Sequence, residues 1–155
     1  FLGRWVADGC FHRTGVRIAV HADEADQVEA LCRGLFGHVT RYAKPGGTGR
    51  GVDLVVNATL VKYVLRDALG MDDGSERKRV PADIFLAPLP VVAGFLRGYF
   101  SGDGTFSGKY VEATTTSAGL AQDVITLLQY FGIAARYRPK PERNGAPAYR
   151  VRFLW

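Results

Sequence analysis

Two acids occupy nearly the same setting in this chain. Asp8 closes "FLGRWVAD" and Asp103 closes "FLRGYFSGD"; each apolar segment stops on a carboxylate that a glycine follows. One such Asp-Gly reads as a helix-ending turn with no chemistry attached. Two of them superpose without a gap at an offset of 95 residues, setting Gly3 on Gly98, Ala7 on Gly102, Asp8 on Asp103, Gly9 on Gly104 and Phe11 on Phe106. Gly3 and Ala7 lie four residues apart, as do Gly98 and Gly102, so each segment forms a helix with a ridge almost bare of side chain, along which a second helix can come close. Helices paired in this way about a pseudo-twofold axis bring Asp8 and Asp103 together at their C-terminal ends. Both the helix dipoles and the twin charge oppose ionisation there. A divalent cation between the acids removes the conflict, and an all-oxygen site with room for water suits Mg²⁺. Ions held between two acids over a basic surface can hydrolyse phosphodiesters.

The elements that must position these acids are also repeated. The same offset sets "QVEALCRGLFGHVTRY" (27–42) on "QDVITLLQYFGIAARY" (122–137), and two blocks in one register imply a duplication. The first half reads as a helix to about Ala7, a hairpin through "CFHRTGVRIAVHA", a helix from Asp23 to Phe36, strands through "HVTRYAK" and "GVDLVVNA", and a helix from Thr59 to Leu69. Val28, Leu31, Cys32, Leu35 and Phe36, and in the second half Leu120, Val124, Leu127, Leu128 and Phe131, are expected as core stripes. Gly37 and Gly132 fit helix C-caps, and Asp23 and Ser117 fit N-caps. Val16, Ile18 and Val20 alternate with Arg17, Ala19 and His21, while Arg136, Arg138 and Lys140 share one strand face, as do Arg150 and Arg152. Sheets with one apolar and one basic face follow, antiparallel across short turns such as 13–15 and the Gly-rich 44–51. The fold class is therefore α+β, with a first half over 1–70, a polar, Pro-bearing linker over 71–90 and a second half over 91–155.

Composition narrows the function. The 155 residues are 47% hydrophobic and 23% charged, enough for a real core, with no apolar run long enough to span a bilayer. Cys10 and Cys32 lie in apolar segments and read as buried thiols of a reducing compartment. Of the net charge of +5, residues 1–103 carry +1 and residues 104–155 carry +4. The excess clusters late, at Arg136, Arg138, Lys140, Arg143, Arg150 and Arg152, a one-sided field suited to a polyanion.

With these motifs in place, "FLGRWVADG" and "LRGYFSGDG" resemble the paired dodecapeptides of the LAGLIDADG homing endonucleases, and the similarity spans nearly the whole chain. "KRVP" at 78–81, between the halves, and "EATTTSAGLAQDVITLLQYFGI" after the second motif are similar to the endonuclease domains carried inside inteins. The resemblance implies a duplicated αββαββα fold with a saddle-shaped antiparallel sheet, and site-specific, Mg²⁺-dependent cleavage of double-stranded DNA, with Mn²⁺ able to substitute. It implies metal binding by Asp8 and Asp103, the Ala7 and Gly102 carbonyls as extra ligands, and Lys78 stabilising the anionic transition state or positioning the attacking water. Otherwise Arg77-Lys78-Arg79 is a solvated charge run. Arg17, His21, Arg41, Arg136, Arg138, Lys140, Arg150 and Arg152 fall on the strands that would line the DNA; Tyr42 and Tyr137 read as core or rim. The partner is double-stranded DNA, met by a pseudo-symmetric monomer in a prokaryotic cytoplasm and embedded in a host protein. The alternative on this scaffold is a non-cleaving DNA- or RNA-binding module: a decayed endonuclease, a maturase-like protein or a regulator.

The sequence also departs from the pattern. The counterparts of helix 59–70 and of Lys78 would lie beyond Trp155, and splicing-type ends are not among these residues. If these residues are the whole polypeptide, one of two cleavage centres is expected to be incomplete; the alternative is a fragment excised from a longer protein.

Overall fold

The computed structural model describes residues 1–43, 50–143 and 146–154, the side chains of 141–143 and 146 apart. Of the Gly-rich turn expected at 44–51, residues 44–49 lie outside them, and Gly51 already belongs to the following strand. The first repeat runs α1 (Leu2–Asp8), β1 (Gly9–His12), β2 (Gly15–His21), α2 (Ala22–Phe36), β3 (Thr40–Ala43), β4 (Gly51–Val56) and α3 (Thr59–Tyr63), which continues as a π-helical stretch, Val64–Ala68. After a short helix α4 (Ala82–Phe85), the second repeat runs α5 (Leu89–Asp103), β5 (Gly104–Phe106), β6 (Tyr110–Thr115), α6 (Ala118–Gln129), β7 (Arg136–Arg143) and β8 (Ala146–Leu154). Part of the expected 71–90 linker is thus helical. The two antiparallel sheets have the same strand order, β1-β2-β4-β3 and β5-β6-β8-β7, as a duplication requires. The class is α+β, as the alternation and short turns predict.

The two repeats meet through α1 and α5, and the small-residue ridge is what lets them. A Cβ on Gly3 would overlap the Phe95 carbonyl oxygen, one on Gly98 would stand 3.0 Å from the Arg4 amide nitrogen, and one on Gly102 would stand 2.5 Å from the Ala7 Cβ. All three positions face backbone or Cβ atoms that no rotamer change can move.

One buried cluster crosses this seam, from Val16, Ile18 and Leu54 through Trp5, Val92 and Tyr99 to Val124, Leu127 and Val151. Helices cover one face of each sheet, and the other face is open. Two expectations need correction. In α2 the core stripe is Ala25, Val28 and Cys32, whereas Leu31 and Leu35 are 44% and 55% exposed and line a groove with Leu60, Val64 and Val91; Phe131 is also exposed. The α2 N-cap is His21, whose Nδ1 accepts the Asp23 amide at 3.3 Å, so Asp23 sits inside the first turn, where its charge still suits the dipole. Ser117 caps α6 as expected, accepting from the Leu120 amide at 3.0 Å.

Candidate active site and polyanion surface

The helices α1 and α5 end alike. The amides of Gly9 and Gly104 bond the carbonyls of Trp5 and Phe100, and the chain leaves each helix directly as the first strand of its repeat. A Cβ on either glycine would collide with the last helical turn, which explains a glycine after each acid without any positive φ. Asp8 and Asp103 thereby finish the two helices on the same side of the seam. The Asp8 carboxylate lies against the residue before Asp103, since a Cβ on Gly102 would stand 2.6 Å from Asp8 Oδ2.

Three further charges, Arg4, Asp103 and Lys78, share this place with the half-buried Asp8. Arg4, 6% exposed, approaches Asp8 at 3.5 Å, bonds Glu24 at 2.7 Å and donates to the Ser101 carbonyl across the seam. Burial, together with the Asp8 charge, pushes the Asp103 carboxyl up to about 6, with Lys78 and Arg4 opposing. Lys78 is 7% exposed and donates from Nζ to the carbonyls of Ala7 at 3.1 Å and Gly9 at 3.0 Å, the residues on either side of Asp8. Carbonyls at a helix C-terminus have no partner within the helix, so an ammonium is well matched to them. Burial pulls the Lys78 ammonium below the ordinary lysine range, and the nearby Asp103 and Asp8 limit that fall.

The charge run 77–79 is therefore not one solvated face. Arg77 points outward to Asp72 at 2.9 Å, Lys78 inward to the acids, and Arg79 to Asp123 of α6 at 2.6 Å. Sequence reasoning misses two residues here, Asp123 and Ser117 in its anchoring role. Asp123 is detectable in principle, because it interrupts the apolar stripe of α6 between Leu120 and Leu127, and an acid on a core face requires a partner.

The strand registers sort the expected basic residues. Arg136 stands opposite Arg152 and Arg138 opposite Arg150, with Lys140 two residues on, so all five share the open face of the second sheet. Glu112, opposite Arg152 on the same face, meets Arg152 at 2.6 Å and Arg150 at 3.6 Å. Like charges directly across a sheet are unfavourable alone, and a polyanion would relieve them. The first sheet is different. Arg17 is on its open face, 3.5 Å from Asp53 and 3.2 Å from the Cys10 sulfur, which makes Cys10 a surface-facing neighbour rather than a core thiol; Cys32 is buried. His21 is occupied as the α2 cap. Arg41 stands opposite the fully buried Leu54, on the helix-covered face, and pairs with Asp26 at 2.6 Å, so the geometry separates it from the open-face set. Tyr42 is exposed, and Tyr137, half exposed, stacks on Tyr149.

Among the described residues no group of three or more His, Cys, Asp and Glu side chains gathers to hold a metal. The acid pair is nonetheless suited to a cation whose remaining ligands are carbonyls, water or a phosphate. The Ala7 carbonyl, expected with that of Gly102 as a further ligand, already accepts from Lys78.

Comparison with known proteins gives a consistent result. Residues 90–154 match the family model of the LAGLIDADG-like domain. The chain is 35% identical over 111 residues to the DNA polymerase of Thermococcus sp. (strain GE8), covering 71% of this chain and 6% of that protein. It is 32% identical over 152 residues to elongation factor 2 of Methanopyrus kandleri, covering 93% of this chain and 11% of that protein. The chain thus spans a small fraction of these relatives. Among solved structures it is similar to the homing endonuclease I-DmoI in complex with DNA and Mn, with a TM-score of 0.67 and 16% identity over 98% of this chain and 85% of that one.

Proposed function

The chain has the LAGLIDADG fold across both repeats and carries a LAGLIDADG-like domain over residues 90–154, and on that premise we propose that it is a site-specific double-stranded DNA endonuclease domain from within an intein. The observation that carries the proposal is the acid pair: Asp8 and Asp103 brought together at the ends of two abutting helices, with Lys78 buried beside them. The relatives support the insertion. Similar stretches occupy a few per cent of a DNA polymerase and about a tenth of an elongation factor, hosts of unrelated role, as expected of a domain lodged in a longer protein.

Asp8 and Asp103, with the Gly102 carbonyl, would hold a divalent cation. When bound, Mg²⁺ or Mn²⁺ lowers the pKa of a water nucleophile and neutralises charge developing on the scissile phosphate. I-DmoI has been solved with DNA and Mg and with DNA and Mn, which supports that choice. The chain's own residues do the rest. Asp103 must lose its proton to take part, and Arg4 keeps positive charge beneath the pair. Lys78 uses two of its three N–H groups on Ala7 and Gly9, leaving one for a phosphate oxygen. Arg136, Arg138, Lys140, Arg150 and Arg152 would hold the DNA backbone, with Arg17 on the open face of the first sheet. One copy of the chain, acting in a prokaryotic cytoplasm, carries both repeats and so can face both strands.

The test is selection of cleaved members from a randomised plasmid library in Mg²⁺, followed by the same assay with Asp103→Asn. Linearised plasmid from the parent and none from the variant is the expected result. Binding with steep salt dependence and no cleavage in either metal would instead make it a binding module.

A further inference from the structure

We propose that Asp123, assisted by Ser117, is a positioning residue that holds Lys78 at the acid pair, so that the second repeat sets the geometry of a centre whose lysine reaches into the first. The catalytic consequence rests on the reading of Lys78 given above.

The backbone of 78–80 is tied to the start of α6 at both ends. Ser117 Oγ donates to the Lys78 carbonyl at 2.7 Å, and the Val80 amide donates to Asp123 Oδ2 at 3.1 Å. Arg79 closes a fork on the same carboxylate, from Nε to Oδ2 at 2.6 Å and from Nη2 to Oδ1 at 2.8 Å. Asp123 is 6% exposed and Ser117 is buried, so their bonds to the backbone of 78–80 are shielded from water, while the Arg79 side chain that closes the fork is 62% exposed. Ser117 Oγ also accepts the Leu120 amide, so one hydroxyl starts α6 and fixes the Lys78 carbonyl. The Arg79 side chain lies over Gly119, where a Cβ would stand 2.7 Å from its Cδ, so Gly119 leaves room for the fork.

Lys78 then points the other way, to the carbonyls of Ala7 and Gly9. Its backbone is held in one repeat and its ammonium in the other, which fixes its reach from both ends. Apolar packing does not explain the acid: a leucine at this point of the α6 stripe would fill the core and hold nothing. A misplacement of about 1 Å at a reacting group costs on the order of 100-fold in rate, so the tie matters for chemistry even if the fold tolerates its loss.

The full chain carrying Asp123→Asn or Ser117→Ala is compared with the parent in two ways. Single-turnover cleavage of each strand is followed on an end-labelled duplex, with DNA affinity measured in Ca²⁺. Acylation of Lys78 by an N-hydroxysuccinimide ester is read by peptide mass across the alkaline range. For Asp123→Asn we expect one strand to slow about tenfold more than the other, because Lys78 serves one centre, with DNA affinity within about twofold. Acylation of Lys78 should accelerate several-fold as it swings into water. Equal slowing of both strands, or unchanged acylation, overturns the proposal and leaves Asp123 a structural residue. If the parent cuts neither strand, the endonuclease reading fails while the acylation arm still decides the positioning. If Asp123→Asn does not fold, Ser117→Ala, which removes the hydroxyl and leaves the carboxylate fork, carries the same comparison.

Discussion

Folding raises the proton affinity of Asp103, through burial and the adjacent Asp8, and this has a sign that can be measured. Because its folded pKa of about 6 lies above the ordinary carboxyl value, the folded state binds more protons than the unfolded one between about pH 4 and 6. Stability from this group is present below that window and is lost as pH rises through it. Metal-free parent and Asp103→Asn should therefore melt alike near pH 4. By pH 7 the variant should be the more stable by up to about 3 kcal/mol, from roughly two pKa units. Thermal melts over that range check it; a parent that gains on the variant as pH rises would show that the carboxyl is not destabilised by folding. Added Mg²⁺ should raise the parent's melting temperature and leave the variant's nearly unchanged, since only the parent keeps both acids. Cleavage should fall below about pH 6, where protons compete with metal.

At the scale of elements, the seam between α1 and α5 is an interface of backbone against backbone. Gly3→Ala places a methyl on the Phe95 carbonyl oxygen and should cost about 3 kcal/mol, the upper end of overpacking, because neither helix can yield alone. Gly94→Ala, on the same α5 helix but with nothing within 4 Å of the added Cβ, should be neutral or should stabilise by up to about 1 kcal/mol. Urea denaturation of both variants separates a steric seam from a general need for flexible helices. This seam was legible in the sequence because small residues four apart have few other uses, and the repeat supplied the second helix. The capping of α2 was less legible, since His21 competes with Asp23 for the role and only the backbone decides. The exposure of Leu31 and Leu35 could not be read from periodicity, which says that a helix has an apolar face and not what covers it. Asp123 and its tie to residues 78–80 depend on partners about 40 positions apart in the chain, beyond the reach of any local pattern.

At the scale of the molecule, the two open faces differ in charge, and their registers show how. Arg17 and Asp53 form the cross-strand pair of the first sheet, while at the equivalent positions of the second stand Glu112 and Arg150, with the signs exchanged. Neutralising Arg136 and Arg138 together should flatten the dependence of log affinity on log salt by about 0.9 for each phosphate these side chains neutralise, whereas Arg17→Ala, already paired with Asp53, should change it less. DNA-binding titrations at several salt concentrations give these slopes, and equal slopes for the two variants would refute the asymmetry. A further consequence belongs to the seam. Where Ala7 and Gly102 cross, one position carries a methyl and the other has space for none. An isolated second repeat could oppose glycine to glycine and associate with itself, while an isolated first repeat would oppose two methyl groups where one fits. The two repeats are thus complementary rather than interchangeable at this crossing, and exchange of halves between such proteins should succeed only when the incoming helix brings the complementary small residue.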